Sequence, residues 1–168
     1  MGYSLADAAY DAYMADFNAE LDDLLEGFGF FFASVARLLH TAGMVISTHL
    51  QIPDDRLDLF RSSILEPLSL SAVAGIIQRI MQAQSLEGSK RLASDLRKVN
   101  DYRNRLAHDS LVFDLSPEDG SWPAIRRRPA FTEREIGTIK AGELRLHIDL
   151  CHRLESRIRG ILLGLTTV

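Results

Sequence analysis

Four side chains in the second half of the chain are suited to chemistry at a phosphate group. The stretch 100–110, NDYRNRLAHDS, holds Arg103, Asn104, Arg105 and His108 within six positions. Histidine takes up or releases a proton near neutral pH, and arginine binds phosphate and stabilises negative charge that develops on it. RNA cleavage without a metal uses these groups. Because the attacking 2′-hydroxyl exists only in RNA, this chemistry excludes DNA.

The spacing decides which of these side chains can meet. In a helix, Asn104 and His108 lie one turn apart on one face, whereas Arg103 lies about 140° round the axis from His108. A second copy of the chain could bring Arg and His together across an interface. The alternative is an ordinary helix end, where the helix dipole favours arginine and histidine. The residues by themselves leave both interpretations open.

The helix that would carry this motif is also the most basic stretch of an acidic chain. Its cations are Lys90, Arg91, Arg97, Lys98, Arg103 and Arg105. Despite a net charge of −4 they would create a local positive field, which makes Arg97, Lys98 and Arg105 candidate RNA-binding residues. A solvated helix face, balanced by acids such as Asp95, explains the pattern equally well.

A second basic run lies in PAIRRRPAF. Arg126, Arg127 and Arg128 on an extended segment could contact an RNA backbone, with Trp122 and Phe131 stacking a base. Neighbouring residues of a strand point to opposite faces, so at most two of the three arginines share one face. The alternative, slightly favoured, is a solvated edge strand that its charge protects from aggregation.

The sequence contains no pattern typical of a metal or cofactor site. His147 and His152 are five residues apart, and the chain contains no HExxH. We therefore predict no metal site and expect these histidines, with Glu143, Asp149 and Glu155, to be surface residues. P-loop, GxGxxG and GxSxG patterns are also missing from the sequence, so no cofactor is predicted.

Size and composition indicate one folded domain spanning 1–168. The 168 residues are 46% hydrophobic and 25% charged, enough to bury a core. The single cysteine, Cys151, excludes an internal disulfide and suits a reducing cytoplasm. The N-terminus lacks the basic start of a signal peptide, and the apolar stretch FGFFFASVARLL is interrupted by Arg37 and too short for a bilayer. We predict a cytoplasmic protein without membrane association.

Apolar residues three and four apart predict helices over most of the chain. The first begins near Ser4, bends or ends at Gly27 or Gly29, and continues to about Thr48. Asp54 or Asp55 is expected to cap the next helix. Later helices are predicted at about 71–84, from Ser89 or Lys90 to about His108 after a turn containing Gly88, and from about Leu144 onward.

The first predicted helix carries an aromatic cluster and ends near two histidines in or beside apolar stretches. The aromatic cluster Phe28, Phe30, Phe31 and Phe32 is expected to be core, partly buried between subunits of a dimer. His40 and His49 are expected to be structural.

Short β-prone segments around a turn-rich stretch predict a β-hairpin or extended arm at about 110–138, inserted in an all-α helical bundle.

Motif and architecture together resemble one family. Arg103, Asn104 and His108 fit the signature of HEPN domains, which is an arginine, a polar residue, three further residues and a histidine. The helical chain, with the motif late in one helix and another long helix after it, is similar to that family as well. The six-residue motif is weakly specific, whereas motif and architecture cover most of the chain.

The resemblance implies a metal-independent endoribonuclease that works as a homodimer with two motifs in one cleft. By analogy Arg103 would bind phosphate, Asn104 would position it, and His108 would act as acid or base. Family members include toxins of toxin–antitoxin and phage-defence systems, some paired with a nucleotidyltransferase antitoxin. Some toxins carry a tyrosine shortly after the histidine, where this chain has Asp109, Ser110 and Leu111. Other members are non-catalytic modules that bind a nucleotide, RNA or a protein.

Overall fold

The described part of the chain is predominantly helical. The computed structural model describes residues 5–108, 110–114, 124–128, 137–139 and 141–166, and side chains within 12–16, 18–19, 21–108, 139 and 142–165. The elements in chain order are α1 (Leu5–His49), a 3-10 turn (Asp54–Arg56), α2 (Leu57–Phe60), a π-helical turn (Arg61–Leu65), α3 (Leu70–Ala83), α4 (Ser89–His108), β1 (Ser110–Asp114), β2 (Ala124–Arg128), β3 (Gly137–Ile139) and α5 (Ala141–Thr166).

Two compact units divide these elements. The first unit comprises Met1–Phe31 with His108–Leu146, and the second comprises Phe32–Ala107 with His147–Val168. Buried apolar side chains of the first unit include Leu24, Phe31, Ile139 and Leu144, whereas the core of the second is supplied by α3, most of α4, and the parts of α1 and α5 that belong to this unit. The helices α1, α4 and α5 each contain residues of both units.

Helix α1 does not end at Gly27 or Gly29, one of the two outcomes predicted for these glycines. The helix runs without interruption from Leu5 to His49. A Cβ atom at Gly27 would lie 3.2 Å from Leu144 Cδ1, so this glycine allows α5 to approach α1 closely. Gly29 has open space around it. The cost of a glycine within a helix, about 1 kcal/mol, is small enough for packing to override.

The aromatic cluster of α1 is only partly core. Phe31 is fully buried, but Phe30 is 57% exposed and Phe32 is 38% exposed. Three consecutive helical residues point in directions about 100° apart, so one core face cannot hold them all. The expectation for His40 is also wrong, since its side chain is exposed, whereas His49 is half-buried.

The length of α1 changes the argument about membranes. Ala12–His49 is long and apolar enough to cross a bilayer, and half of its most apolar window is buried inside the protein. The helix as a whole is therefore long enough to span a bilayer, although the stretch FGFFFASVARLL within it is too short. Core helices of soluble proteins pass the same test, so this one helix does not establish a membrane protein.

The connection between α1 and α3 corrects a predicted helix cap. Asp54 and Asp55 lie in the first turn of the 3-10 segment, where Pro53 occupies the cap position and no side chain caps the turn. The cap that forms belongs to α3, where Ser69 Oγ accepts a hydrogen bond from the Ala72 amide at 3.2 Å. Ser69 has the residue type and the extended backbone that a helix N-cap favours.

Helix α4 follows its prediction closely. It runs from Ser89 to His108, and its apolar positions Leu92, Leu96, Val99 and Leu106 are all buried. Their spacing of three, four and seven places them on one face. The remaining face is therefore left to polar residues, including Arg105 and His108 of the motif.

A tight turn sets the start of α4. Gly88 has φ +72°, the left-handed region that favours glycine, and Arg157 Nη2 donates to the carbonyl oxygens of Glu87 and Gly88 at 3.3 Å each. A Cβ atom at Gly88 would collide with this guanidinium group. The turn thus depends on both the conformation and the small size of this residue.

Substituting two glycines should change stability in opposite directions. Gly88→Ala is expected to lower the free energy of unfolding by roughly 1–3 kcal/mol, because alanine is strained at positive φ and displaces Arg157. Gly75→Ala lies within α3 with open space around the new methyl group, and should raise stability by about 0.5–1 kcal/mol. Urea unfolding of both variants measures the difference. Equal effects of the two substitutions would contradict this account of the turn.

The strands form one antiparallel sheet in the order β1-β2-β3. In the first pairing Leu111 lies opposite Arg127, and in the second Gly137 lies opposite the same arginine. The strand that carries Arg126–Arg128 is therefore the central one, so its interpretation as an edge strand is wrong. Both backbone edges of β2 are paired, and charge at its edge is not needed to block further strand addition.

Helix α5 buries apolar side chains that recur at spacings of three, four and seven and so share one face. Leu144, Cys151, Leu154, Ile158 and Ile161 are all buried. Burial raises the pKa of the Cys151 thiol from 9.0 to about 11, against a smaller opposing effect of the Arg37 charge. The thiol is thus held in its neutral form across the physiological range.

This shift predicts slow alkylation of Cys151. At pH 8 the thiolate fraction of the folded protein should be about a hundredfold below that of the unfolded chain, and iodoacetamide should react more slowly by at least this factor. Because the folded pKa is the higher one, the thiol's contribution to stability is present below pH 9 and is lost as the pH rises towards 11. Mass spectrometry of alkylation with and without urea measures the ratio. Equal rates would contradict the burial of this group.

Candidate functional site

The motif residues lie on the exposed face of the last turns of α4. The side chains of Arg103, Arg105 and His108 are exposed, and Asn104 is half-buried. One guanidinium nitrogen of Arg103, Nη1, donates a hydrogen bond to Asn104 Oδ1 at 3.1 Å. Among the described residues Arg103 forms no buried ion pair, and the His108 side chain is exposed. Both side chains are therefore accessible to a ligand.

A buried aromatic ring fixes the rotation of this helix. Tyr102, directly before the motif, is fully buried, and its ring stacks on that of His147 with centroids 3.6 Å apart and planes 7° from parallel. The Arg105 guanidinium carbon lies 5.4 Å from the centroid of the same tyrosine ring, within the range of a cation–π contact. Leu106, four residues after Tyr102, is buried on the same side of the helix.

The structure brings together only some of the motif residues. Arg103 contacts Asn104, and Asn104 lies one helical turn before His108, the last residue of α4. The division between the two units falls between Ala107 and His108. Helical geometry places the Cβ atoms of Arg103 and His108 about 140° apart round the axis.

The other basic residues of α4 are exposed as well. Lys90, Arg91, Arg97 and Lys98 all reach solvent, and Lys98 Nζ forms an ion pair with Asp95 Oδ1 at 2.8 Å. Part of the charge is therefore balanced within the helix, as the alternative interpretation expects. Arg97 and Arg105 retain exposed charge on the helix that carries the motif.

The second basic run is described only through its backbone. Arg126, Arg127 and Arg128 belong to β2, and their side chains lie outside the described residues. Trp122 and Phe131 fall outside the described residues altogether. A role of this arm in binding RNA therefore stays a prediction.

The expectation that the polar residues of α5 all lie free on the surface is wrong. His147 is half-buried against Tyr102, and Glu155 is buried. His152 is exposed but accepts a hydrogen bond from Arg37 Nη2 at 2.8 Å. Glu143 is half-buried and Asp149 is exposed.

A polar network between α1 and α5 was missed by the sequence argument. On α5, His152, Glu155, Ser156 and Arg159 recur at spacings of three and four and so share one face. Ser34 and Arg37 have the same spacing on α1. Each stripe was visible in the sequence, but only the tertiary structure shows that the two meet.

Comparison with known proteins adds no relative. No family model matches the chain, and neither curated proteins nor solved structures give a match. The described part of the chain therefore defines only a general class, a predominantly helical protein with exposed Arg103, Arg105 and His108 at the end of α4.

Proposed function

We propose that the protein is a metal-independent endoribonuclease of the HEPN type, in which Arg103, Asn104 and His108 form the active site. The observation that carries the proposal is the exposure of Arg103 and His108 in the last turns of α4. Side chains kept out of the core and out of buried ion pairs are available to a phosphate. The fit of the motif to the family signature supports the same assignment.

The proposed reaction is a transesterification within the RNA strand. His108 takes the proton of a 2′-hydroxyl, and the oxygen attacks the adjacent phosphorus. Arg103 holds the phosphate and stabilises the negative charge that builds up on its oxygens. The bond from phosphorus to the 5′-oxygen breaks, and that oxygen takes a proton from water. The products are a 2′,3′-cyclic phosphate and a 5′-hydroxyl end.

A homodimer completes the proposed site. Because Arg103 and His108 diverge by about 140° round one helix, the pair that acts on one phosphate would consist of Arg103 from one copy and His108 from the other. Asn104, bonded to Arg103 at 3.1 Å, would orient that guanidinium group. Exposed Arg97, Lys98 and Arg105 would attract the RNA backbone, and so would Arg126, Arg127 and Arg128 if their side chains reach it.

The test is cleavage of a labelled RNA oligonucleotide in the presence of EDTA, with the DNA of the same sequence as matched control. We expect RNA to be cut to cyclic-phosphate ends and DNA to stay intact, since DNA has no 2′-hydroxyl. Cleavage of both strands, or loss of RNA cleavage on adding EDTA, would count against the proposal. We extend this proposal to a cytoplasmic role as the toxin of a toxin–antitoxin or phage-defence system, with an antitoxin or nucleotidyltransferase as partner.

One observation favours a second candidate, a non-catalytic module that binds RNA, a nucleotide or a protein. A single copy exposes Arg103 and His108 at positions about 140° apart round the helix, an arrangement that suffices for binding. Retention of labelled RNA on the folded protein without any cleavage would favour this candidate.

A further inference from the structure

A second charged site lies in the second unit, away from the motif in sequence. Arg37 from α1 and His152, Glu155, Ser156 and Arg159 from α5 line an open groove with a volume of about 370 Å³. This volume is at the small end of the range of roughly 300–1,000 Å³ typical of small-molecule sites. The groove is therefore large enough for more than a bare ion.

A buried carboxylate organises two arginines in this groove. Glu155 Oε1 accepts from Arg159 Nη2 at 2.6 Å, and Glu155 Oε2 lies 3.7 Å from Arg37 Nε. The Glu155 side chain is 11% exposed, whereas those of Arg37 and Arg159 are 58% and 66% exposed. The carboxylate thus positions both guanidinium groups, and much of each arginine side chain remains exposed to solvent.

The charge in this cluster is not balanced. Two guanidinium groups face one carboxylate, which leaves a net positive charge even with His152 neutral. Each guanidinium group has five N–H donors, and the carboxylate and His152 occupy only some of them. A simple structural ion pair would need one arginine, so the second cation and the remaining donors suit an anion.

Further polar groups surround the arginines. Arg37 Nη2 donates to His152 Nε2 at 2.8 Å, and the buried Ser34 Oγ lies 3.4 Å from the same nitrogen. Arginine can only donate, so Nε2 is the acceptor and carries no proton in this arrangement. The exposed Ser156 lines the groove and supplies a hydroxyl donor.

We propose that this groove binds a small phosphomonoester, with Arg37 and Arg159 on its phosphate group. Planar guanidinium groups match the oxygens of a phosphate in paired hydrogen bonds, and a positive charge organised in advance lowers the cost of ordering them on binding. The polar rim and the volume suit a ligand with an organic part, such as a sugar phosphate. The site is independent of the ribonuclease proposal, because it shares no residue with the motif.

Binding of ribose 5-phosphate to the full-length protein, followed by calorimetry, tests this inference. Ribose and inorganic phosphate are the comparison ligands. We expect ribose 5-phosphate to bind more tightly than inorganic phosphate, and ribose not to bind. Arg37→Ala and Arg159→Ala should each weaken binding at least tenfold. Arg153→Ala, which removes an exposed arginine of α5 that does not line the groove, should leave it unchanged.

Several results would overturn the proposal. They are the absence of phosphate-dependent binding, equal binding of ribose and ribose 5-phosphate, equal binding of inorganic phosphate and ribose 5-phosphate, or equal weakening by Arg153→Ala. If Arg37→Ala or Arg159→Ala unfolds the protein, the wild type still decides the matter. On titration with ribose 5-phosphate the side-chain Nε–H signals of Arg37 and Arg159 should shift in the NMR spectrum while that of Arg153 stays in place.

Discussion

His108→Ala is expected to reduce the rate of RNA cleavage by about 10²–10⁴-fold, the usual contribution of a general base. Arg103→Ala should reduce it by about 10²–10³-fold, because the charge that develops on the phosphate loses its strongest donor. Both side chains are exposed, so neither substitution should lower stability by more than about 0.5 kcal/mol. Rates measured with labelled RNA, together with urea unfolding, separate catalysis from folding.

Matched controls distinguish the motif from general loss of charge. His40→Ala and Arg79→Ala remove an exposed histidine and an exposed arginine of other helices and should leave cleavage unchanged. Arg103→Lys keeps the positive charge but not the paired N–H donors, and should recover only part of the activity. If the His40→Ala and His108→Ala variants lost the same share of activity, the motif would have no special role in cleavage.

Mixing the two inactive variants tests whether the site is shared between copies. A dimer of one Arg103→Ala chain and one His108→Ala chain retains one intact pair, made from opposite copies. If random exchange makes half of the dimers mixed, activity should return to about one quarter of the wild-type level. If the acting arginine and histidine belong to one copy, the mixture should stay inactive.

The sequence was sufficient for α4 because one periodic pattern determined several features at once. Leu92, Leu96, Val99 and Leu106 place the buried face, and Gly88 marks the turn before it. Once that face is known, the exposure of Arg105 and His108 follows from helical geometry, because both lie about 140° or more from Leu92 round the axis. Arg103 lies four residues after Val99 and three before Leu106, so geometry places it beside the buried positions, and its exposure is seen only in the structure.

Features that depend on two distant segments were beyond the sequence. The glycines of α1 suggested a bend, but Gly27 serves the close approach of Leu144, more than a hundred residues later. Glutamate is usually a surface residue, but Glu155 is buried, with its charge paired with those of Arg37 and Arg159. Periodicity predicts which residues share a face, and it does not predict which faces meet.

Tyr102→Ala is expected to lower the free energy of unfolding by roughly 3–5 kcal/mol, since a fully buried aromatic ring leaves a large cavity. Domains of this size are commonly stable by only about 5–15 kcal/mol, so the loss is a large share. Tyr102→Phe keeps the ring and should change the free energy of unfolding by less than about 1 kcal/mol in either direction. Urea unfolding of the two variants gives the comparison.

The stack on His147 gives this tyrosine a second, separable contribution. Ring centroids 3.6 Å apart and planes within 7° of parallel should couple the two residues by about 0.5–1.5 kcal/mol in a double-mutant cycle of Tyr102→Ala and His147→Ala. Since Tyr102 precedes Arg103 directly, the stack also fixes the direction in which the motif points. His147→Ala should therefore reduce RNA cleavage while the protein stays folded. Zero coupling, or full activity of His147→Ala, would show that the buried face of α4 holds the motif in place without this stack.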